Sequence, residues 1–301
     1  MGGEVRVAAG QQMHLTDTSV QANPGGIEVI GNDTQLAEIE FDGRLTNAAF
    51  TRNIAASHAT LRFNGGLPNH GAVGISVGTS HVHGDINNKP GATITVKGNS
   101  TVTFWDNLTN NDTVEVSSGS TAIYFETVTG VASFTGGGTT VVEGSLAPGN
   151  SPGAMNFAGD VVVGSLAEVE IELGGVIPGA QHDRLTITGA VNLEGTLDLV
   201  PLAPYTDPAA RGTAGDFTII TAGARNGTFS TVQYDGSTRA PDVETDGGGS
   251  FRDHVAGGLF RSMTYTSTAV IVQNLLASEG DTDGDLDVDT VDLTGMIMNY
   301  T

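Results

Sequence analysis

A gapless internal repeat is the feature of this sequence that most limits its fold. Residues 93–104 (TITVKGNSTVTF) align with residues 113–124 (TVEVSSGSTAIY) at an offset of 20, and a third, looser copy follows at 139–142. Self-similarity at a fixed period indicates stacked structural units, each of which buries its apolar face against its neighbours.

Within each copy the apolar residues alternate with polar ones, as in Ile94 and Val96 or Val114 and Val116. Side chains two residues apart lie on the same face of a strand, so these four are expected to point inwards. An all-β solenoid with one coil per repeat satisfies this pattern. A β-sandwich of antiparallel hairpins would also show short strands and glycine-rich turns, but a gapless offset favours the parallel β-helix.

Composition agrees with an all-β chain of many short strands, since 43 residues are glycine and only 6% are aromatic. A turn with two prolines and two glycines at 147–153 ends the regular repeat. We predict a β-solenoid over 1–200 and a C-terminal β cap over 201–276, with a long mobile loop at 235–258. The absence of cysteine excludes disulfides and thiolate chemistry.

The net charge of −22 excludes whole classes of partner. A nucleic acid or an anionic membrane surface would be repelled, and the sequence has no basic stripe that would bind phosphates. No apolar run is long enough for a membrane helix, so membrane insertion is not expected.

Four segments together resemble the autotransporter-passenger-like repeats of bacterial surface proteins. They are residues 144–153 (GSLAPGNSPG), 170–175 (EIELGG), 183–189 (DRLTITG) and 193–197 (LEGTL). The resemblance implies a right-handed parallel β-helix in an exported surface or adhesive protein. Because the shared motif describes a fold, it implies architecture more than activity.

Acidic residues near the C-terminus have the spacing of a calcium-binding loop. Residues 281–292 (DTDGDLDVDTVD) place acids at loop positions 1, 3, 5, 9 and 12, and the backbone carbonyl of position 7 supplies a further oxygen. Ca²⁺ binds six to eight such oxygen ligands. The predicted ligands are Asp281, Asp283, Asp285, Asp287, Asp289 and Asp292.

An amphipathic helix is predicted directly after this loop, from the apolar residues at 293, 296, 297 and 300. A loop with an exiting helix but no entering one resembles one half of a dockerin module, here over 277–301. Leu286 stands where such loops usually have glycine. Dockerins carry two halves and bind cohesins, so cohesin binding is not expected of a single half.

No catalytic constellation stands out in the sequence. His81 and His83 lie on one side of a strand and would be two metal ligands, but no third ligand can be assigned, so a surface pair is the default interpretation. We therefore predict a non-enzymatic, extracellular structural or adhesive β-solenoid at the cell surface, with self-association or surface polysaccharide as its interactions. The alternative is a carbohydrate-binding or polysaccharide-degrading β-helix recruited through its dockerin-like tail.

Overall fold

The computed structural model shows an all-β, parallel β-solenoid. The residues that the structure describes are 4–19, 21–22, 25–48, 53–131, 133–149, 151–202, 215–234, 236–238, 252–256 and 259–276. These residues contain no helix, and so none that is long and apolar enough to cross a membrane.

Short strands follow one another along the whole described chain. The first are β1 Val5–Ala8, β2 Gln12–Leu15, β3 Gln21–Ala22, β4 Ile27–Ile30, β5 Ala37–Phe41, β6 Leu45–Thr46, β7 Asn53–Ser57, β8 Ala59–Phe63, β9 Leu67–Asn69, β10 Ala72–Ser76, β11 Thr79–His83 and β12 Ile86–Asn88. Next are β13 Thr93–Lys97, β14 Thr101–Phe104, β15 Leu108–Asn110, β16 Thr113–Val116, β17 Thr121–Tyr124, β18 Val128–Gly130, β19 Ser133–Thr135, β20 Thr139–Val142, β21 Ser145–Pro148, β22 Ala154–Phe157, β23 Asp160–Val163 and β24 Glu168–Leu173. The last are β25 Arg184–Leu193, β26 Thr196–Pro201, β27 Gly215–Gly227, β28 Thr231–Tyr234, β29 Ser237–Thr238, β30 Arg252–Ala256, β31 Leu259–Tyr265 and β32 Ala269–Leu276.

Each coil of the solenoid contributes three strands, and each strand pairs in parallel with its equivalents in the coils before and after. In the repeat, β13 pairs with β10 and β16, β14 with β11 and β17, and β15 with β12 and β18. We call the three resulting stacks the first, second and third sheets. This parallel stacking confirms the solenoid and excludes the antiparallel sandwich.

The predicted offset of 20 is confirmed residue by residue. Thr93 pairs with Thr113, and Phe104 pairs with Tyr124. The looser copy at 139–142 pairs with 121–124 and therefore belongs to the second sheet. The alternating apolar residues of the repeat point inwards as predicted, and none is more than 2% exposed.

One continuous hydrophobic core fills the solenoid from Val7 to Val272. Aromatic rings stack inside it between coils, with ring centroids 4.9 Å apart for Phe104 and Tyr124 and 4.6 Å apart for Phe134 and Phe157. Because every coil adds apolar side chains to the same core, neighbouring coils stabilise one another.

Parallel pairing continues beyond the repeat. β25 pairs with both β22 and β23, and it pairs in turn with β27, while β26 pairs with β28. β27 then pairs antiparallel with β32. Of the loop predicted at 235–258, the structure describes residues 236–238 and 252–256, which contain β29 and β30. The division into solenoid, cap and half-module stays a prediction.

A ladder of buried asparagines runs through the third sheet. The side-chain amide of Asn47 donates to Asn69 at 2.7 Å, Asn69 to Asn88 at 2.9 Å, and Asn88 to Asn110 at 2.8 Å. The same amide groups also donate to backbone carbonyls of the following coil. All four side chains are at most 1% exposed, so the ladder satisfies polar groups inside the core.

The ladder ends at Asn110, because the residue that pairs with Asn110 in the next coil is Gly130. Gly130 has a φ of 122°, and a Cβ at this position would overlap the carbonyl oxygen of Asn110. Glycine is therefore required here, and it offers no side-chain acceptor. The Nδ2 of Asn110 accordingly has no partner among the described residues.

Asp183 joins the segments that carry the autotransporter-like motif. Its Oδ1 accepts a hydrogen bond from the backbone N–H of Gly153 at 2.6 Å, and its Oδ2 accepts one from Glu172 at 2.9 Å. The Asp183 side chain is 1% exposed, and this burial raises its pKa to about 7. One carboxyl group thus holds the end of the glycine-rich turn against β24.

Candidate binding face along the solenoid

Outward side chains of the second sheet form a row along the solenoid, which we call the lateral stripe. Parallel pairing places each member beside the next, and the backbone bonds of Trp105 to Val82 and of Phe125 to Phe104 continue the register just past the strands. Strands in a sheet are about 4.8 Å apart, so the side chains are close neighbours. The stripe consists of His14, Glu40, Arg62, His83, Trp105 and Phe125.

The first half of the stripe is charged. The Nε2 of His14 lies 2.9 Å from Asp42 Oδ1 and 3.9 Å from Glu40 Oε2. The hydrogen bond to Asp42 raises the pKa of His14, and the same bond lowers the pKa of Asp42. Arg62 forms an ion pair with Glu38 at 2.7 Å. The charged side chains His14 and Arg62 of this half are therefore paired with neighbouring carboxylates.

The second half of the stripe is an aromatic stack. The rings of His83 and Trp105 are 5.9 Å apart and nearly parallel, and those of Trp105 and Phe125 are 4.6 Å apart. Burial, followed by the charge of Arg62, lowers the pKa of His83, which favours the neutral ring. Trp105 is 38% exposed and Phe125 is 39% exposed. The stack thus presents an apolar surface to the outside.

A groove of about 800 Å³ lies beside this stack, at the corner between the second and third sheets. We call it the corner groove. Corner residues of successive coils line it, together with outward side chains of the third sheet. The lining residues are Arg44, Asn64, Gly65, Gly66, Leu67, Pro68, Gly84, Asp85, Ile86, Asn87, Asp106, Asn107, Thr109, Thr127 and Thr129.

Two carboxylates of the corner groove tie neighbouring coils together. Asp106 Oδ2 accepts a hydrogen bond from the backbone N–H of Gly84 at 2.8 Å. Asp85 Oδ1 accepts one from the side-chain amide of Asn107 at 2.9 Å. The second oxygen of each carboxylate, Asp106 Oδ1 and Asp85 Oδ2, has no protein partner in the described part of the chain. Each of these carboxylates is therefore held in place through one oxygen, and its other oxygen can accept a hydrogen bond from a ligand.

Of the site residues predicted from the sequence, the structure describes the histidine pair but not the calcium loop. The calcium ligands predicted at 281–292 lie outside the described residues. His81 and His83 both contact the ring of Trp105, and the indole Nε1 donates to His81 Nδ1 at 3.3 Å. Across the described ranges, a group of three side chains close enough to share a metal ion occurs at His14, Glu40 and Asp42, and it includes neither His81 nor His83.

Sequence reasoning missed the aromatic stack and the corner groove. The signal for the stack was present, because the offset of 20 that aligns Phe104 with Tyr124 also aligns Trp105 with Phe125. The groove had no comparable signal, since its lining comes from short stretches that are far apart in the sequence and belong to several coils.

No protein-family model matches the chain, and no curated protein matches its sequence. The fold is therefore established by the strand pairing, while the autotransporter-like and dockerin-like resemblances depend on the motifs alone.

Proposed function

We propose that this protein is a non-enzymatic, extracellular β-solenoid that acts as a structural or adhesive element at the cell surface. The exposed aromatic stack of Trp105 and Phe125 is the observation that carries this proposal. Apolar aromatic side chains on the outside of a rigid sheet are typical of interaction sites. The autotransporter-like motifs support the same cellular location.

The architecture suits a scaffold. Strands in the middle of each sheet pair on both sides, so among the described residues the free hydrogen-bonding edges lie at the ends of the sheets, as at β1 and β2. The net charge of −22 adds repulsion between copies. Adhesion is therefore better explained by binding through a defined aromatic patch than by nonspecific association.

Removing the aromatic patch is expected to weaken adhesion. The double variant Trp105→Ala and Phe125→Ala should be retained about tenfold less on a surface that binds the wild type, because interface aromatics contribute most of the binding energy. Retention can be measured with a quartz microbalance on polystyrene, on a cellulose film and on a layer of the protein itself.

Leu166→Ala is the control, since Leu166 is 80% exposed and lies outside the lateral stripe. It should be retained like the wild type. An adhesive role is wrong if the wild type is retained on none of these surfaces, or if the double variant is retained equally well.

We further propose that residues 277–301 form a dockerin-like half-module that binds Ca²⁺ and stabilises or attaches the C-terminus. Acids at alternate positions followed by one at position 12 support this assignment. Calorimetric titration with Ca²⁺ should give binding heat for the wild type and none for Asp281→Ala. Glu126→Gln, an exposed acid of the solenoid, should titrate like the wild type. Absence of heat in all three proteins would end the calcium proposal.

A second candidate function is carbohydrate binding, and the corner groove favours it. Its polar lining offers donors and acceptors to sugar hydroxyls, and the aromatic stack lies at its border. Asp85 and Asp106 are both held by groups of the neighbouring coil, as expected for residues that shape a binding site.

A further inference from the structure

We propose that the corner groove binds a linear, neutral polysaccharide whose chain runs parallel to the solenoid axis. This inference rests on the proposed adhesive function and names the ligand class that one part of the surface recognises. It assigns the ligand contacts to Asn87, Asp106 and Thr109, with Trp105 at the margin.

The direction of the groove follows from the coils that line it. Residues 64–68, 84–87, 106, 107, 109, 127 and 129 occupy equivalent corners of four successive coils, and Arg44 adds the corner of the coil before them. Since coils stack about 4.8 Å apart, the groove extends along the axis for roughly 15 Å. A linear chain in this direction would meet outward polar side chains at positions 87, 109 and 129 of three successive coils.

The lining groups are those that bind hydroxyls. Thr109 and Asn87 point outwards from β15 and β12 and are partly exposed. The other carboxylate oxygens, Asp106 Oδ1 and Asp85 Oδ2, have no partner in the described part of the chain and are available to accept hydrogen bonds from a ligand. Carboxylates accept, amides both donate and accept, and threonine hydroxyls do either, which suits a ligand rich in hydroxyl groups.

Other ligand classes fit the groove less well. A peptide that adds a strand needs a free sheet edge, but β12 and β15 are already paired on both sides. A polyanion would meet Asp85 and Asp106 against the single positive charge of Arg44, on a chain of net charge −22. A neutral sugar chain avoids both costs.

The aromatic stack supplies the apolar side of the site. Trp105 directly precedes the groove residue Asp106, and its indole ring is 38% exposed. Its faces contact His83 and Phe125, so a ligand would touch the exposed ring edge. Trp105 is also the only tryptophan of the chain, which makes its fluorescence a specific reporter of occupancy.

Fluorescence titration of the intact protein tests the proposal. The probes are soluble neutral polysaccharides (hydroxyethyl cellulose, xylan, mannan and starch), with polygalacturonate and alginate as polyanions. At least one neutral polysaccharide should change the Trp105 emission in a saturable way. Asn87→Ala and Thr109→Ala should each bind it about fivefold more weakly, as expected for the loss of one hydrogen bond.

Thr95→Ala is the matched control, because Thr95 is a partly exposed threonine of the same coil on the first sheet. It should bind like the wild type, and thermal unfolding should show that all three variants are folded. Saturation by no neutral polysaccharide, equal binding by all variants, or preference for a polyanion would overturn the proposal. Because surface retention is measured separately, the groove assignment can fail while the adhesive function stands.

Discussion

Replacing Asn88 with alanine is expected to lower the free energy of unfolding by about 4 kcal/mol, because several buried polar groups lose their partners together. Asn88 accepts a hydrogen bond from Asn69 and donates to Asn110 and to the carbonyl of Thr113. Urea unfolding followed by circular dichroism should show a lower midpoint with an unchanged slope.

Asn87 provides the control for this variant, since it is the neighbouring asparagine but points outwards. Asn87→Ala should change the free energy of unfolding by less than about 1 kcal/mol. Asn110→Ala should fall between the two, because Asn110 is the last member of the ladder and its Nδ2 already has no partner. Equal losses at positions 87 and 88 would contradict a stabilising ladder.

Asp183→Ala should lower the free energy of unfolding by about 3 kcal/mol, because it leaves two backbone N–H groups without an acceptor, the buried one of Gly153 and the partly buried one of Glu172. Asp160 is the matched control, since it also accepts a backbone N–H from a neighbouring coil but is exposed. Asp160→Ala should cost less than about 1 kcal/mol. A similar loss in both variants would show that burial of the acceptor is unimportant.

Asp183 should also make stability depend on pH. Its pKa is raised to about 7 in the folded protein, mainly by burial, whereas the pKa of an aspartate in an unfolded chain is about 3.9. Between these values the folded state binds more protons, so this group's contribution to the free energy of unfolding falls as pH rises towards 7 and is constant above it. Asp183→Asn should flatten this dependence in unfolding curves measured at pH 4 to 8.

The fold was predictable where coil length is constant. An offset of 20 gives the pairing of Thr93 with Thr113 directly, because stacked coils of equal length place equivalent residues side by side. One coil earlier the rule fails, since Ala72 pairs with Thr93 and Thr79 with Thr101. Turns of different length do not disturb the pairing of the strands. They do change the offset between paired residues, so a comparison at one fixed period misses the pairing.

The asparagine ladder and the candidate site were harder to predict. Each ladder residue ends a short motif of an apolar residue, any residue and asparagine, as at 67–69 and 108–110. Asparagine near a turn is ordinarily read as turn chemistry, which conceals its burial. The groove depends on corners from five coils, so no local pattern reports it. The predicted calcium ligands lie outside the described residues, and that site stays a prediction.

The parallel pairing also determines how this protein would carry a load. Hydrogen bonds between coils run along the solenoid axis, so tension along that axis acts on the coils in series. If the C-terminus anchors the molecule and a ligand holds the corner groove, the force passes only through the coils between them. That path would include Asp183 and its contacts with Gly153 and Glu172, whereas the coils on the N-terminal side of the ligand would not be under tension. In that arrangement, the C-terminal half of the solenoid would set the mechanical strength of the protein.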